Sequence, residues 1–268
     1  MVRAGAWLRS GVLVLLALAF AAPVLLLAVA SLQPPGSAPV PGALWPESPS
    51  LAAYAAAFDL VPMARGLLNS LLVLLLYVPL SVVVASLAGL GLRRLTPRGQ
   101  LWALVLLVGA ASIPYAAIWL PRFLLFQWLG LSGSWAPLWA PALMGGHPLL
   151  VLLCFVAARA LPLSQLEAAR LEGAGWLRIW WQVVVPQTRP ALVATALLAA
   201  AWCWASFTDP LLYLHREQSQ TAPLMLYALE LLGASNWSVL MAASMLLTVP
   251  VMVVLLFAPR ALNRTLGD

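Results

Sequence analysis

The residues of this 268-residue chain that could do chemistry are few and widely separated. Cys154 and Cys203 both lie in apolar runs, which favours packed thiols over a disulfide. His147 and His215 are far apart, and neither has a Cys, Asp or Glu neighbour at the spacing of a metal site. The pattern therefore predicts neither a metal site nor a bound cofactor.

The absence of lysine excludes two further chemistries. All fourteen cationic side chains are arginine. A P-loop needs a lysine that reaches the nucleotide phosphates, and Schiff-base catalysis needs a lysine amine. If this protein uses ATP, another chain must bind it.

The composition is that of an integral membrane protein. The chain is 63% hydrophobic and only 8% charged, whereas a soluble domain carries about 25% charged residues. Arginines that gather in the cytoplasmic loops of a membrane protein explain the net charge of +6 without a nucleic-acid partner.

Apolar runs predict six membrane spans and therefore an all-α, polytopic fold with six transmembrane helices. The first run, 11–32, is longer than the roughly 7–15 apolar residues of a signal peptide, so we predict an uncleaved span. Cleavage after Ala28-Val29-Ala30 stays as the alternative. The other predicted spans are 67–92, 101–121, 135–158, 191–212 and 237–258.

Prolines and glycines predict irregular backbone at several places. Pro114 should kink the third span. Pro and Gly residues interrupt the fourth span, which we place against the bundle interior because broken backbone is tolerated there; alternatively, that span starts after Pro148. The loop 33–62 should hold a helix over 50–58 capped by Ser50, and residues 213–235 should form a polar loop.

Arginine positions predict the orientation. With the N-terminus inside, eleven arginines fall in inside segments and three outside, which favours both termini in the cytoplasm. The inside set is Arg3, Arg9, Arg93, Arg94, Arg98, Arg159, Arg170, Arg178, Arg189, Arg260 and Arg264; the outside set is Arg65, Arg122 and Arg216.

A polar segment from Pro162 to Pro190 interrupts the apolar chain. Ser164 and Glu167 have capping-box spacing, and Gly173 suits a left-handed helix end. They predict a helix over 164–172 of roughly 13 Å, too short to span a bilayer. A second short helix should run over 176–184 and end before Pro186.

The first of these helices has the features of a docking element. Ala168 and Ala169 keep it thin, so that a partner can approach closely, and Leu163, Leu166 and Leu171 offer apolar anchors for a groove. Taken alone, the spacing fits equally well a capped helical loop on the membrane surface.

The segment resembles the EAA loop of binding-protein-dependent ABC importer permeases. It has Glu167-Ala168-Ala169, then Gly173, then Val183-x-Val185-Pro186, where the family has Ile-x-Leu-Pro. Stretches around Asn69-Ser70-Leu71, Ala85–Gly89 and Met241–Ser244 resemble the carbohydrate branch, specifically the maltose-type second permease subunit. The resemblance covers 67–258.

The resemblance implies the ABC type I importer permease fold and a non-catalytic role. The EAA loop, 159–190, would be a coupling helix that docks on a separate ATP-binding subunit. It also implies three regions: 1–66, a first helix and periplasmic loop; 67–258, the permease core; and 259–268, a cytoplasmic tail. The docking residues would be Ser164, Leu166, Glu167, Ala168, Ala169, Arg170, Gly173 and Pro186.

The same resemblance implies further partners and a location. These are a second permease subunit, an extracytoplasmic solute-binding protein and the bacterial inner membrane. Polar or aromatic residues predicted inside spans are candidates for the substrate path, although each also has a packing interpretation. The candidates are Asn69, Trp204, Ser206, Asp209 and Ser244.

Two departures from the carbohydrate branch concern the substrate. The branch has Trp-Asn-Asp-Phe in the fifth span, where this chain has Trp204-Ala205-Ser206-Phe207. The sequence ends at Leu266-Gly267-Asp268, short of the branch's Gly-rich tail. A permease for a sugar or oligosaccharide is our interpretation, and a permease for another solute is the alternative.

Two other classes are less consistent with the sequence. A stand-alone secondary transporter usually shows internal repeats and intramembrane ionisable residues, and neither is clear here. An intramembrane enzyme would need clustered acids for a metal or a Ser–His pair, whereas the eight acids are scattered and His147 is the one histidine predicted at membrane depth.

Overall fold

The structure, a computed structural model, consists of helices joined by turns and loops, with no strand in the parts that it describes. These parts are residues 2–37, 45–233 and 236–266, with side chains described over 11–37, 45–233 and 236–254. The all-α prediction is confirmed. Residues 267–268, in the predicted tail, lie outside the described residues.

Fourteen α-helical segments follow one another along the described chain. They are α1 Val2–Ala30, α2 Ala52–Leu60, α3 Met63–Arg93, α4 Pro97–Ser112, α5 Tyr115–Trp128, α6 Ala136–Trp139, α7 Pro148–Ala160, α8 Leu163–Leu171, α9 Trp176–Ile179, α10 Val185–Gln187, α11 Arg189–Trp204, α12 Thr208–Tyr213, α13 Ala222–Leu231 and α14 Trp237–Leu266. A 3₁₀ helix, Ala140–Met144, follows α6, and a π-helical turn, Trp180–Val184, follows α9.

Six membrane spans are consistent with this helix pattern. Within the described residues, four segments are long and apolar enough to cross a membrane, and two bent helix pairs bring the number to six if each pair is one span. The four segments are Gly11–Ala30, Met63–Arg93, Ala136–Ala160 and Trp237–Val254; the pairs are α4 with α5 and Trp176–Gln187 with α11.

Two of the predicted spans are wrong in detail. Pro114 does not merely kink the third span: α4 and α5 are separate helices at 91°, because Ile113 and Pro114 are extended and the residue before a proline avoids the α region. The predicted fifth span, 191–212, breaks after Trp204, so Asp209 lies on the separate short helix α12.

The first of two compact units comprises residues 1–67 and 222–252. Its core brings together small and large apolar side chains, among them Ala53, Ala57, Met225 and Leu229. The prediction of a polar loop over 213–235 is wrong, because one face of α13 is buried in this core.

The predicted helix near Ser50 exists but starts later, at Ala52 in α2. The Ser50 hydroxyl accepts a hydrogen bond from the Ala52 amide at 3.1 Å. Leu51, rather than Ser50, is the N-cap residue. The predicted helix is therefore displaced by two residues, and Ser50 still satisfies one free amide at its start.

The second unit comprises residues 68–221 and 253–268. α3 and α7 pack closely at Gly89, where an added Cβ would lie 2.7 Å from the carbonyl carbon of Cys154. The predicted interruption of the fourth span is confirmed, since α6, the 3₁₀ helix and a turn through Gly145 and Gly146 precede α7. His147 is the N-cap residue of α7, and its side chain accepts a hydrogen bond from the Leu149 amide.

Candidate partner-docking site

α8 starts one residue earlier than predicted, and the predicted capping box is wrong. The N-cap residue is Pro162, and no side chain caps it. Ser164 and Glu167 therefore lie inside the helix. A side-chain cap requires a residue with non-helical backbone at the N-cap position, and Ser164 is two residues past it.

The end of α8 confirms the predicted glycine stop. Gly173 has φ +84°, in the left-handed region. Its amide donates to the Arg170 carbonyl, and the Ala174 amide donates to the Ala169 carbonyl, each at 3.0 Å. These two bonds form a Schellman motif, which satisfies carbonyls that the helix end would otherwise leave free.

The inner face of α8 packs in a hydrophobic cluster of the second unit. Leu166 is only 5% exposed and lies in a cluster with Leu90, Leu161, Ile179 and Val184. The sequence suggested Leu166 as an apolar anchor for a partner, but its side chain is buried within this chain. It attaches α8 to the end of α3 and to the following helical segment.

The outer face of α8 and the start of α9 expose three leucines. Leu171 is 90% exposed, Leu177 71% and Leu163 60%. Ser164, Glu167, Ala168 and Arg170 are also exposed. Leucines exposed together beside polar residues are characteristic of a protein-interaction surface. We call this set the α8 outer face.

Arginine–tryptophan stacking fixes α8 against the end of α3. The Arg94 guanidinium carbon lies 3.7 Å from the centre of the Trp176 ring, and that of Arg170 lies 4.8 Å from it. Cation–π contacts of this kind stabilise by roughly 0.5–1 kcal/mol at exposed sites. The stack joins α3, α8 and α9 into one surface.

The second helix of the segment continues through Pro186, contrary to prediction. A π-helical turn at Trp180–Val184 leads into α10, which contains Pro186. The Val185 amide donates to the Trp180 carbonyl, five residues back. The wider turn changes the hydrogen-bond register just before Pro186, which has no amide to contribute. Pro186 is exposed.

Among the substrate-path candidates, Asn69 and Ser244 bond to backbone. The Asn69 amide nitrogen donates to the carbonyls of Gln218 and Gln220 at 3.0 and 2.8 Å. The Ser244 hydroxyl donates to the Leu240 carbonyl of its own helix. Both arrangements fit a structural role. Trp204 and Ser206 are partly exposed where α11 ends.

Asp209 lies in a charged cluster that sequence reasoning missed. One carboxylate oxygen pairs with Arg122 Nη2 at 2.8 Å, and the other accepts from the Tyr115 hydroxyl. Arg122 also donates to the Pro137 carbonyl at 3.0 Å. The side chains of Arg122 and Asp209 are 19% and 16% exposed. Tyr213 lies beside them, and burial raises the pKa of its phenol.

Both charged residues of this cluster are visible in the sequence, but their pairing is not. Arg122 was counted as a loop charge and Asp209 as a candidate for the substrate path, 87 residues later in the chain. Opposite charges close to separate spans can indicate a pair, because unpaired charges at membrane depth are costly. Spacing alone did not show which partner each charge has.

Comparison with known structures supports the fold. No protein-family model matches this chain. A bacterial ABC transporter involved in the import of the acidic polysaccharide alginate has a chain that superposes with a TM-score of 0.77 and 21% identity, over 96% of both chains. The fold is that of an ABC importer permease.

Three curated proteins define the relationship in sequence. The chain is 32% identical to the ABC transporter permease protein ORF1 of Streptomyces antibioticus over 181 residues, 68% of this chain and 79% of the relative. It is 27% identical to the sulfoquinovosyl glycerol transport system permease SmoH of Agrobacterium fabrum, over 82% and 77% of the two chains. It is 28% identical to the arabinooligosaccharides transport system permease AraQ of Halalkalibacterium halodurans, over 72% and 68%.

Together these features define a multi-pass helical membrane protein with the architecture of a transporter subunit. The chain belongs to the ABC transporter permeases, and its similar proteins include permeases of sugar and oligosaccharide transport systems. The predicted resemblance is confirmed.

Proposed function

We propose that this chain is a non-catalytic permease subunit of an ABC importer, and that α8 is the coupling helix on which a separate ATP-binding subunit docks. The observation that carries the docking proposal is a short helix with a packed inner face and an outer face that exposes leucines beside polar side chains. Leu166 holds one side, the Schellman motif fixes the end, and Leu171 is 90% exposed on the other.

A fixed helix suits the transmission of movement. A docking element that bends would absorb the movement of its partner, whereas a packed helix transfers it to the spans. In this proposal Glu167, Ala168, Arg170 and Ser164 contact the ATP-binding subunit, and Leu166, Ala169, Gly173 and Pro186 set the shape of the segment.

The cargo that we propose is a sugar or oligosaccharide. The names of SmoH and AraQ support it, since they refer to sulfoquinovosyl glycerol and arabinooligosaccharides. A non-sugar solute is the second candidate, because the osmoprotective compounds uptake permease GgtD of Synechocystis is 27% identical over 71% of this chain. Trp204 and Ser206 are the residues that we retain for a substrate path.

The complete importer would contain three further kinds of component. They are an ATP-binding dimer, a second permease subunit and an extracytoplasmic solute-binding protein, in the inner membrane of a bacterium with both termini of this chain in the cytoplasm. The arginine distribution supports this orientation.

An uptake assay tests the function. The complex is reconstituted into vesicles with its binding protein and offered radiolabelled sugars and osmoprotectants, with and without ATP. We expect ATP-dependent uptake of a sugar. Uptake that does not depend on ATP would contradict the importer proposal, and ATP-dependent uptake of a non-sugar solute alone would favour the second candidate.

A further inference from the structure

The chain turns through a right angle where α10 meets α11. The helical stretch Trp176–Gln187 and the axis of α11 lie at 88° to one another. Thr188 is the single residue between them. Pro190, in the first turn of α11, has no amide and therefore cannot continue the helical hydrogen bonds across this position. We call this bend the Thr188 corner.

The Thr188 corner is closed by two hydrogen bonds to one carbonyl. Thr188 is buried, and its hydroxyl donates to the Val184 carbonyl at 2.7 Å. Its amide donates to the same carbonyl at 2.9 Å, and its own carbonyl accepts from the Leu192 amide at 3.0 Å. A threonine hydroxyl that bonds to the carbonyl four residues earlier often bends a helix. The Thr188 side chain therefore helps to set the angle of the corner.

The near side of the corner belongs to the same packed cluster as α8. Val184 is buried in a cluster with Ile179 and with Leu166 of α8. Trp180 adds a hydrogen bond from its indole nitrogen to the hydroxyl of Ser86 in α3, at 3.0 Å. Because these contacts join α8 to the stretch before Thr188, a movement of α8 carries the near side of the corner with it.

The far side of the corner is α11, which acts as a lever. Its 16 residues extend about 24 Å at 1.5 Å per residue. A tilt of about 10° at the corner would displace the far end of a helix of this length by about 4 Å. Trp204 ends α11 and Ser206 follows it, and these are the residues retained for the substrate path. A fixed corner passes movement to this end, whereas a loose corner absorbs it.

We propose that Thr188 is a positioning residue for transport: its hydroxyl keeps the corner at a fixed angle, so that a movement of α8 tilts α11. This role rests on the coupling function proposed for α8, and it adds the route by which the movement reaches the substrate path. Thr188 is buried within its own chain. Loss of its hydroxyl should therefore change the amount of solute moved per ATP, and not the docking of the ATP-binding subunit.

Two threonines of this chain form a matched pair for the test. Thr195 is also buried, and its hydroxyl donates to the carbonyl four residues earlier, that of Ala191, at 2.8 Å, but within the uninterrupted part of α11. In the reconstituted complex, we expect Thr188→Val to raise the ATP hydrolysed per solute imported by about threefold, the scale of one lost hydrogen bond. Thr195→Val should leave this ratio unchanged. Thr188→Ser keeps the hydroxyl and should retain the wild-type ratio.

A distance measurement tests the corner without transport. Nitroxide labels are attached to Arg178→Cys and Ala201→Cys, both at exposed positions, in the full chain with Cys154 and Cys203 replaced by alanine. Two helices with a rise of 1.5 Å per residue that meet at a right angle place these positions about 25 Å apart, within reach of double electron–electron resonance. We expect Thr188→Val to broaden the distance distribution about twofold, and Thr195→Val to leave it unchanged.

Equal coupling ratios in the two valine variants, or distance distributions of equal width, would overturn the role of Thr188. Loss of the ATP-binding subunit from the Thr188→Val complex would also contradict it, because the substitution would then have disturbed docking. A wild-type complex without ATP-driven uptake would instead overturn the proposed function of the chain. The distance measurement on the chain alone would still test the corner in that case.

Discussion

Position 173 needs glycine because of its backbone conformation and not because of limited space. Its φ is +84°, and an added Cβ would meet nothing within 4 Å. An alanine there fits the space but is strained by about 1–2 kcal/mol in the left-handed region. Gly175 is also open, with φ −70°, so it supplies a matched control.

We expect Gly173→Ala to increase local opening of α8 about tenfold, and Gly175→Ala to change it little. Hydrogen exchange of the 163–172 amides, followed by mass spectrometry, measures this opening. Gly173→Asn should be intermediate, because asparagine tolerates the left-handed region. Equal exchange in the two alanine variants would show that the Schellman motif does not hold the helix.

Asp209 is assigned a structural role by its pairing with Arg122. Removing one partner of a largely buried pair leaves the other charge without compensation. We expect Asp209→Asn to destabilise the protein by about 2 kcal/mol, below the cost of breaking a fully buried pair because both groups retain some exposure. Thermal unfolding in detergent micelles measures the change.

A double-mutant cycle distinguishes this role from a place in the substrate path. Arg122→Met combined with Asp209→Leu should cost less than the sum of the two single changes, since residues in contact are coupled. Additive losses would argue against the pair. Loss of transport at unchanged stability would instead support a substrate contact for Asp209.

Gly89 makes the packing of α3 on α7 possible. An added Cβ would lie 2.7 Å from two backbone atoms of α7, and backbone cannot yield as a flexible side chain can. Gly91, two residues further along α3, has nothing within 4 Å of an added Cβ. The two glycines are therefore a matched pair on one helix.

We expect Gly89→Ala to destabilise the protein by about 1–3 kcal/mol through overpacking. Gly91→Ala should be neutral or stabilising by up to about 1 kcal/mol, because alanine favours a helix interior. The midpoint of thermal unfolding reports both. A similar midpoint for the two variants would mean that α3 and α7 can separate at no cost.

The sequence predicted elements well where the signal is local, and poorly where it depends on distant contacts. Gly173 marked the end of α8 correctly because a left-handed stop is a property of one residue. The capping box failed because Pro162 starts the helix first. α13 was missed because its apolar face matters only against the core containing Met225 and Leu229.

The docking segment also contains features that depend on distant contacts. Leu163, Leu166 and Leu171 looked equivalent in sequence, yet Leu166 is buried and the other two are exposed. Leu166 faces inward because it packs against the end of α3 and against Ile179. The end of α3 is far from α8 in sequence, and Ile179 lies beyond the end of α8. The Arg94–Trp176 stack likewise joins residues 82 positions apart.

In the whole molecule, we propose that the α8 outer face transmits ATP-driven movement to the spans. The alternative is that α8 belongs to a surface loop that binds no partner subunit. Leu171 distinguishes the two because it is 90% exposed and contributes nothing visible to the core. Leu95, 44% exposed in the turn after α3, is a control for exposed leucine on the same unit.

We expect Leu171→Arg to reduce ATP-driven uptake at least tenfold while the amount of protein in the membrane stays normal. The added charge would have to be buried in an apolar interface, at a cost of several kcal/mol. Leu95→Arg should retain uptake. Equal uptake in the two variants would exclude the α8 outer face as the coupling surface.

The most direct measurement is site-directed photo-crosslinking from Leu171 in the assembled complex. Leu171→Cys and Leu95→Cys are each labelled with a thiol-reactive benzophenone and irradiated, and the products are identified by mass spectrometry. We expect position 171 to crosslink to the ATP-binding subunit and position 95 not to do so. Crosslinks from position 171 to lipid alone, in a complex that still transports, would contradict this expectation.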